Sequence, residues 1–171
     1  TKHHPYLNSN NVTILKDGEH QFSTLIQLLQ QAQSFILMQY YLIRTDKTGI
    51  EVMNILKQKA QNNVEVFLMY DAIGSVFLDK EYIKSLQEAG VKVVRNEPVF
   101  FGFFNTKVNY RNHRKITVID GLYGITGGMN LADEYRNYIH PFGHFRDTNL
   151  LIEGSAVNSL TQLFFRDWYY N

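Results

Sequence analysis

Residues 111–130 read RNHRKITVIDGLYGITGGMN, and this stretch decides which fold and which site the chain can build. The run HRKITVID predicts a strand from His113 to Asp120, and the next apolar run, LYGIT, predicts a second strand after a tight turn at Gly121. Because alternate side chains of a strand share a face, we expect His113 and Lys115 to point the same way. The stretch therefore predicts a strand pair that presents an imidazole and an ammonium together.

An imidazole beside an ammonium suits phosphoryl transfer. The imidazole of His113 can attack phosphorus while the ammonium of Lys115 holds the non-bridging oxygens, whose negative charge must be stabilised in the transition state. Gly127 and Gly128 allow the backbone to approach a phosphate closely, and Asn130 can offer it an amide donor. Each residue alone fits an ordinary solvated hairpin, but the whole set at these spacings favours a catalytic site.

Asp120 is the member of this set whose role the spacing leaves open. It lies seven residues after His113, an odd offset, so in a regular strand its carboxylate faces away from the imidazole. We therefore expect Asp120 to anchor the end of the strand or to pair with a basic group elsewhere, rather than to orient His113.

The rest of the chain alternates short apolar runs with amphipathic stretches, which predicts one α/β domain over residues 1–171. Helices are expected after Asp17, from Thr48 in a capping box with Glu51, after Asp79 and after Ser155. Further strands are expected at 12–15, 35–43, 64–71, 91–94 and 145–153. Neither a repeat nor a linker is visible.

Bulk composition excludes several functional classes. The 17 Lys and Arg residues against 16 Asp and Glu give a formal net charge of +1, without the basic excess expected of a nucleic-acid-binding protein. The chain has no Cys, so it has neither a disulfide framework nor a thiolate nucleophile. No apolar run approaches the roughly 20 residues that span a bilayer. The chain as given is expected to be soluble.

The spaced residues His113-x-Lys115-x4-Asp120-x6-Gly127-Gly128-x-Asn130 resemble the signature of the phospholipase D superfamily. The runs YDAIGS (70–75), GGMNLADEY (127–135) and FRDTNLLIEG (145–154) further resemble the first catalytic half of bacterial cardiolipin synthases. The resemblance covers nearly the whole chain, although Phe145 replaces the Trp often found before Arg-Asp in that family. It implies a mixed sheet flanked by helices on both faces.

The resemblance also implies an activity. Such enzymes carry two signatures in one polypeptide, so the other half and the membrane anchors of a bacterial cell-membrane enzyme are expected outside this chain. One signature His forms a phosphohistidine, and the other His protonates the leaving alcohol. Donor and acceptor are both phosphatidylglycerol, and glycerol leaves. Neither a metal nor another cofactor is implied.

Several other residues have both a functional and a structural interpretation. By resemblance, Asp147 is the carboxylate that holds the far nitrogen of His113, but it can equally form a salt bridge with Arg146 or Arg111. Asp71 ends a strand near the expected site, or it caps the following turn. The five remaining histidines have no ligand spacing and are expected on surfaces or loops: His3, His4, His20, His140 and His144.

The aromatic run at 100–104, followed by Lys107 and Arg111, can lie at a bilayer interface with rings in the acyl boundary. We favour the alternative that most of these rings pack under their loop, because Phe is usually buried.

Three classes of function compete. The favoured class is half of a membrane-associated phosphatidyltransferase. The second is a nuclease or phosphodiesterase with one signature per chain, which completes its site by forming a homodimer. The third is a silent domain kept for assembly or lipid binding, which the intact signature disfavours.

Overall fold

The computed structural model describes residues 9–96, 112–140 and 143–170. Within these ranges lie seven strands, four α-helices and a short 3₁₀ helix at Asp133–Arg136. The strands are β1 (Asn10–Leu15), β2 (Phe35–Tyr40), β3 (Glu65–Asp71), β4 (Lys92–Asn96), β5 (Ile116–Ile119), β6 (Tyr123–Gly127) and β7 (Asn149–Gly154). The helices are α1 (Gly18–Gln31), α2 (Lys47–Gln61), α3 (Lys80–Glu88) and α4 (Ala156–Tyr169).

The seven strands form one mixed sheet in the order β1-β7-β6-β5-β2-β3-β4. Strands β2, β3 and β4 are parallel to one another, whereas every other neighbouring pair is antiparallel. Helices α1 to α3 cover one face with a large apolar core, and α4 packs on the other face through Val157 and Phe164. The predicted mixed sheet with helices on both faces is confirmed.

Most of the predicted elements occur, with shifted ends. Asp17 and Asp79 cap α1 and α3 as expected, each accepting a hydrogen bond from a first-turn amide. The capping box at Thr48 was wrong, because α2 is capped two residues earlier by Asp46, whose carboxylate accepts the amide hydrogen of Gly49 at 2.9 Å. Ser155 precedes α4 as expected, but its side chain makes no capping hydrogen bond. The amide of Ala156 instead donates to the side chain of Asn10.

Two predicted strands begin later than expected. The strand expected from His113 begins only at Ile116, and the strand expected from Phe145 begins only at Asn149. In both places the pairing partners end first: Ile116 pairs with Gln39 near the end of β2, and Asn149 pairs with Gly127 at the end of β6. The residues ahead of β5 and β7 therefore project beyond the sheet as irregular segments.

Asp120 fixes the position of β5 beside β2. Its carboxylate accepts hydrogen bonds from the backbone amides of Gln33 (2.8 Å), Ser34 (2.7 Å) and Phe35 (2.9 Å). Its own amide donates to the carbonyl of Phe35 at 2.9 Å. Asp120 thus lies at the opposite end of β5 from His113 and anchors that end of the strand, as its odd spacing predicted. The structure does not bring it to the imidazole.

We expect Asp120→Asn to lower the free energy of unfolding by about 1–2 kcal/mol, because the charge and one acceptor oxygen are lost from a three-amide cluster. Asn tolerates the left-handed backbone that Asp120 adopts (φ 53°), so the change isolates the hydrogen bonds. Urea denaturation measures the effect. Asp17→Asn is the matched control and should cost less than about 0.5 kcal/mol, because Asn caps helices as well as Asp does. An unchanged unfolding midpoint in Asp120→Asn would contradict the anchoring role.

Candidate active site

One edge of the sheet collects the candidate catalytic residues. Strands β2, β3 and β6 end at this edge, while β5 and β7 begin there because they run antiparallel to β2 and β6. Tyr41, Asp71 and Gly128 therefore follow or end strands, and Lys115 and Asp147 precede strands, all at the same edge. Sites of α/β proteins commonly lie outside the carboxyl ends of parallel strands.

His113 lies at this edge with its side chain exposed. Its ring stacks on that of Tyr41, with 3.9 Å between ring centroids and 18° between ring planes. Stacking of this kind limits the ring to a narrow range of orientations, and the residue stays exposed. The imidazole is thus held and accessible, as a nucleophile must be.

Tyr41 is a site residue that the sequence pattern does not reveal. The run at 35–43 is apolar throughout and predicts one continuous strand, but β2 ends at Tyr40 and Tyr41 turns onto the site. Nothing in the local pattern marks the end of the strand. The sequence holds no other signal for it, because the end of β2 depends on its partner strand β5, whose length of four residues only the structure shows.

Lys115 is buried at the same place, with 7% of its surface exposed. Its ammonium donates to the backbone carbonyl of His113 at 2.7 Å and lies 5.6 Å from the centre of the Tyr41 ring. Burial lowers the pKa of Lys115 below the ordinary value of 10.5, and the negative charge of Asp147 opposes that change. The structure therefore brings His113 and Lys115 together as predicted, although not on a regular strand.

Asp147 lies against Gly128. A Cβ atom placed on Gly128 would come within 2.0 Å of Asp147 Oδ2, so only glycine allows this approach. Asp147 Oδ1 accepts the amide hydrogen of Thr148 at 2.6 Å. Among the described residues Asp147 makes no hydrogen bond to His113 and no ion pair with Arg146, and its charge acts instead on Lys115. Arg111 lies outside the described residues. The orientation of His113 by Asp147 stays a prediction.

Asn130 is buried, with 5% exposure, and contacts both the segment after β2 and the 3₁₀ helix. Its Oδ1 accepts the amide hydrogen of Leu42 at 3.0 Å, and its Nδ2 donates to the hydroxyl of Tyr135 at 2.8 Å. The first contact fixes the backbone that follows β2, and the second connects Asn130 to the 3₁₀ helix that contains Tyr135. The predicted contact of Asn130 with a substrate phosphate is untested, and the observed contacts show a structural role that the motif alone did not reveal.

The turn formed by the run YDAIGS (70–75) packs against the backbone carbonyl of Tyr41. Asp71 Oδ1 accepts the amide hydrogens of Ile73 and Gly74, both at 2.8 Å, so it caps the turn that follows β3. A Cβ on Gly74 would lie 2.2 Å from the carbonyl oxygen of Tyr41. Ser75 Oγ donates to that same carbonyl at 3.2 Å. These contacts explain why a Gly-Ser pair stands at this turn.

The remaining candidates lie away from the site or beyond the described ranges. His20, His140 and His144 are exposed, which confirms their expected surface positions. His3, His4 and the aromatic and basic run at 100–111 fall outside the described residues. In the part of the chain that the structure describes, no three His, Cys, Asp or Glu side chains converge as metal ligands would. The prediction of a metal-free reaction stays a prediction.

The family profile described as "Cardiolipin synthase, PLD-like domain", in which PLD stands for phospholipase D, matches residues 25–168. Cardiolipin synthase 2 of Bacillus cereus is 46% identical over 156 residues, covering 91% of this chain and 30% of that protein. A cardiolipin synthase of Geobacillus kaustophilus is 42% identical over 167 residues, covering 98% and 33%. The chain belongs to the cardiolipin synthase family of phospholipase D-like domains, and it spans about a third of the length of these relatives.

Solved structures show the same fold. The phospholipase D family member Nuc from Salmonella typhimurium superposes with a TM-score of 0.69 at 14% identity, covering 94% of this chain and 95% of that one. Phosphatidylserine synthase from Haemophilus influenzae gives a TM-score of 0.68 at 16% identity, covering 88% and 35%. At such identities the likeness concerns the fold alone. Every helix among the described residues is too short or too polar to cross a membrane.

The lowered pKa of Lys115 predicts how anion binding depends on pH. Sulfate keeps its charge throughout the alkaline range, so its affinity should fall as Lys115 loses its proton, at a pH below the ordinary 10.5. Lys115→Arg should bind sulfate without this fall, because a guanidinium stays charged. Isothermal titration calorimetry measures the affinity, with the exposed Lys84→Met as control. An unchanged profile in Lys115→Arg would place the sulfate elsewhere.

Proposed function

We propose that this chain is the first catalytic half of a cardiolipin synthase, which transfers a phosphatidyl group between two phosphatidylglycerol molecules and releases glycerol. One observation carries the proposal: an exposed, stacked imidazole at His113 lies beside the buried ammonium of Lys115 in a domain of the cardiolipin synthase family. The imidazole can attack, and the ammonium can hold the charge that attack creates.

In the proposed first step, a nitrogen of His113 attacks the phosphorus of one phosphatidylglycerol. The new P–N bond forms as the P–O bond to the terminal glycerol breaks, and the departing glycerol oxygen takes a proton from the signature His of the second half. In the second step, that His accepts the proton of a hydroxyl on another phosphatidylglycerol. The hydroxyl oxygen attacks phosphorus, the P–N bond breaks, and cardiolipin leaves.

The other site residues support these steps in proposed roles. Lys115 neutralises the non-bridging phosphoryl oxygens, and the nearby negative charge of Asp147 favours the protonated ammonium. Gly128 leaves room for the carboxylate of Asp147, and its lack of a side chain lets the backbone approach a phosphate closely. Asn130 has a second amide hydrogen that can reach a phosphate oxygen. Asp147 can turn toward the imidazolium of His113 once substrate is bound.

Resemblance to the phospholipase D signature groups Asp120 with the catalytic residues. Its three backbone amide contacts at the far end of β5 support a different contribution. It fixes the register of β5, the strand that follows His113 and Lys115, and it lies away from both side chains.

An exposed apolar surface on this domain supports the proposal that the second catalytic half of the enzyme packs against it. Val12 and Ile14 on β1 are 51% and 54% exposed, and they pair with Ile152 and Leu150 on the face that α4 covers only in part. An open groove of about 600 Å³ continues this surface along α4 toward Lys115. We propose that the second catalytic half covers it, and that membrane segments elsewhere in the polypeptide hold the enzyme at the bacterial cell membrane beside its anionic lipid substrate.

A homodimeric nuclease or phosphodiesterase with one signature per chain is the second candidate. The observation that favours it is the match to 95% of the Nuc chain, which shows that a phospholipase D domain of this size can be a whole chain. The near-neutral charge of +1 weighs against nucleic acid as substrate.

We expect His113→Asn in the full-length polypeptide to lower phosphatidyl transfer by at least about 1,000-fold, because the side-chain amide of Asn does not attack phosphorus. The transfer assay should use phosphatidylglycerol vesicles, and the covalent phosphatidyl-enzyme should be trapped by acid quench. His20→Asn, at an exposed position on α1, should transfer normally. If His113→Asn still forms the covalent intermediate, the other His attacks and His113 is the acid.

The isolated chain should fold but should not turn over phosphatidylglycerol, because the acid that protonates the leaving group is absent. Its apolar surface should cause weak self-association. Val12→Asp should reduce that association in sedimentation experiments, whereas Val76→Asp, at a 67% exposed position in the turn after β3, should not. A stable dimer that cleaves DNA and loses this activity in His113→Ala would replace the transferase proposal with the nuclease.

A further inference from the structure

The carboxylate of Asp167, on α4, contacts the residues on either side of His113. Asp167 lies in the last turn of α4, and only 12% of its side chain is exposed. Its Oδ2 accepts hydrogen bonds from Arg114 Nη1 at 2.6 Å, from Gln39 Nε2 at 3.0 Å and from Asn112 Nδ2. One oxygen therefore joins α4, β2 and the segment before β5.

Two of these three donors are the chain neighbours of His113. Asn112 precedes it and Arg114 follows it, and Asn112 Oδ1 also accepts the amide hydrogen of Arg114 at 3.1 Å. Because β5 begins only at Ile116, no sheet ladder holds this segment. The Asp167 contacts, together with the bond from Lys115 to the His113 carbonyl, take the place of the ladder.

The helix that presents Asp167 is itself fixed to the core. Phe164, one turn earlier, is fully buried, and Trp168 packs beside it with ring centroids 5.6 Å apart. Gln39, the third donor, is buried in β2, two residues before Tyr41. The carboxylate is thus connected to both elements that define the position of the imidazole.

Asp167 carries its charge at neutral pH. Partial burial by itself would raise the pKa of its carboxyl group, but the hydrogen bonds from Gln39 and Arg114 outweigh burial and lower that pKa. A charged acceptor forms stronger and shorter hydrogen bonds than a neutral one.

We propose that Asp167 is a positioning residue for the transfer reaction: by binding Asn112 and Arg114 it holds the backbone of His113 so that the ring stays stacked on Tyr41 and aimed at the phosphate. Asp167 touches neither substrate nor the imidazole. The inference rests on the proposed role of His113 as nucleophile.

The first test is kinetic and uses the full-length polypeptide. Asp167→Asn keeps the shape but loses the charge that three donors share, so kcat should fall about 10- to 100-fold while KM changes less than about threefold, as for a misplaced reacting group. Val157→Ala is the control on the same helix. It removes buried contacts and lowers the melting temperature, but it should leave kcat near its original value.

Additivity separates positioning from a general structural role. The double variant Asn112→Ala/Arg114→Met removes the two neighbours that Asp167 binds, so it should be about as slow as Asp167→Asn. Adding Asp167→Asn to it should slow the reaction little further, because all three changes break one connection. Fully additive losses would overturn the inference.

A second readout does not depend on the reaction. Diethyl pyrocarbonate modifies exposed imidazoles, and peptide mass spectrometry can follow His113 against His20 in the same sample. Release of the segment in Asp167→Asn should raise the rate for His113 severalfold relative to that for His20, while Val157→Ala should leave the ratio unchanged.

The outcomes distinguish the inference from the proposed function. An unchanged kcat and modification ratio in Asp167→Asn, with transfer abolished in His113→Asn, would overturn the positioning role alone. Full transfer in His113→Asn would overturn the proposed nucleophile, and the modification ratio would then decide whether Asp167 holds His113 in place.

Discussion

The antiparallel pairing of β5 with β2 is the constraint on which the site depends. A strand that ran parallel to β2 would carry its leading residues to the far edge of the sheet, whereas the antiparallel strand begins where β2 ends. Asp120 fixes the register of this pair through three backbone amides at the start of β2. The arrangement of the site at the other end of β2 depends on this pairing, because it places His113 and Lys115 beside Tyr41.

The site combines an exposed imidazole with buried supports. His113 is open to solvent, but the groups around it are held by packing or hydrogen bonds: Lys115 is buried, Tyr41 is supported by the turn at Gly74, and Asp167 binds the neighbours of His113. Such an arrangement costs conformational freedom before substrate arrives, which is the physical basis of preorganised catalysis. The exposed apolar face beside α4 lies next to these groups, so a partner domain that covers it would also close the site.

The signature residues divide into different physical roles that a motif does not separate. His113 and Lys115 meet at the site, while Asp120 lies at the other end of the same strand. Asn130 lies below the site with contacts to Leu42 and Tyr135. The seven-residue spacing argued against contact between Asp120 and His113, and the structure separates them because His113 precedes β5 whereas Asp120 follows it. The loop contacts of Asn130 had no such signal.

The sequence by itself determined the family, the α/β class, most strands and helices, and the pairing of His113 with Lys115, because periodicity and motif spacing are local properties. It did not determine where strands end, since pairing stops where a neighbouring strand stops. Only the tertiary structure therefore moved Tyr41 out of β2 and onto the imidazole. In the same way, Asp167 is distant in sequence from His113, and only the packing of α4 across the sheet brings its carboxylate to the neighbours of that residue.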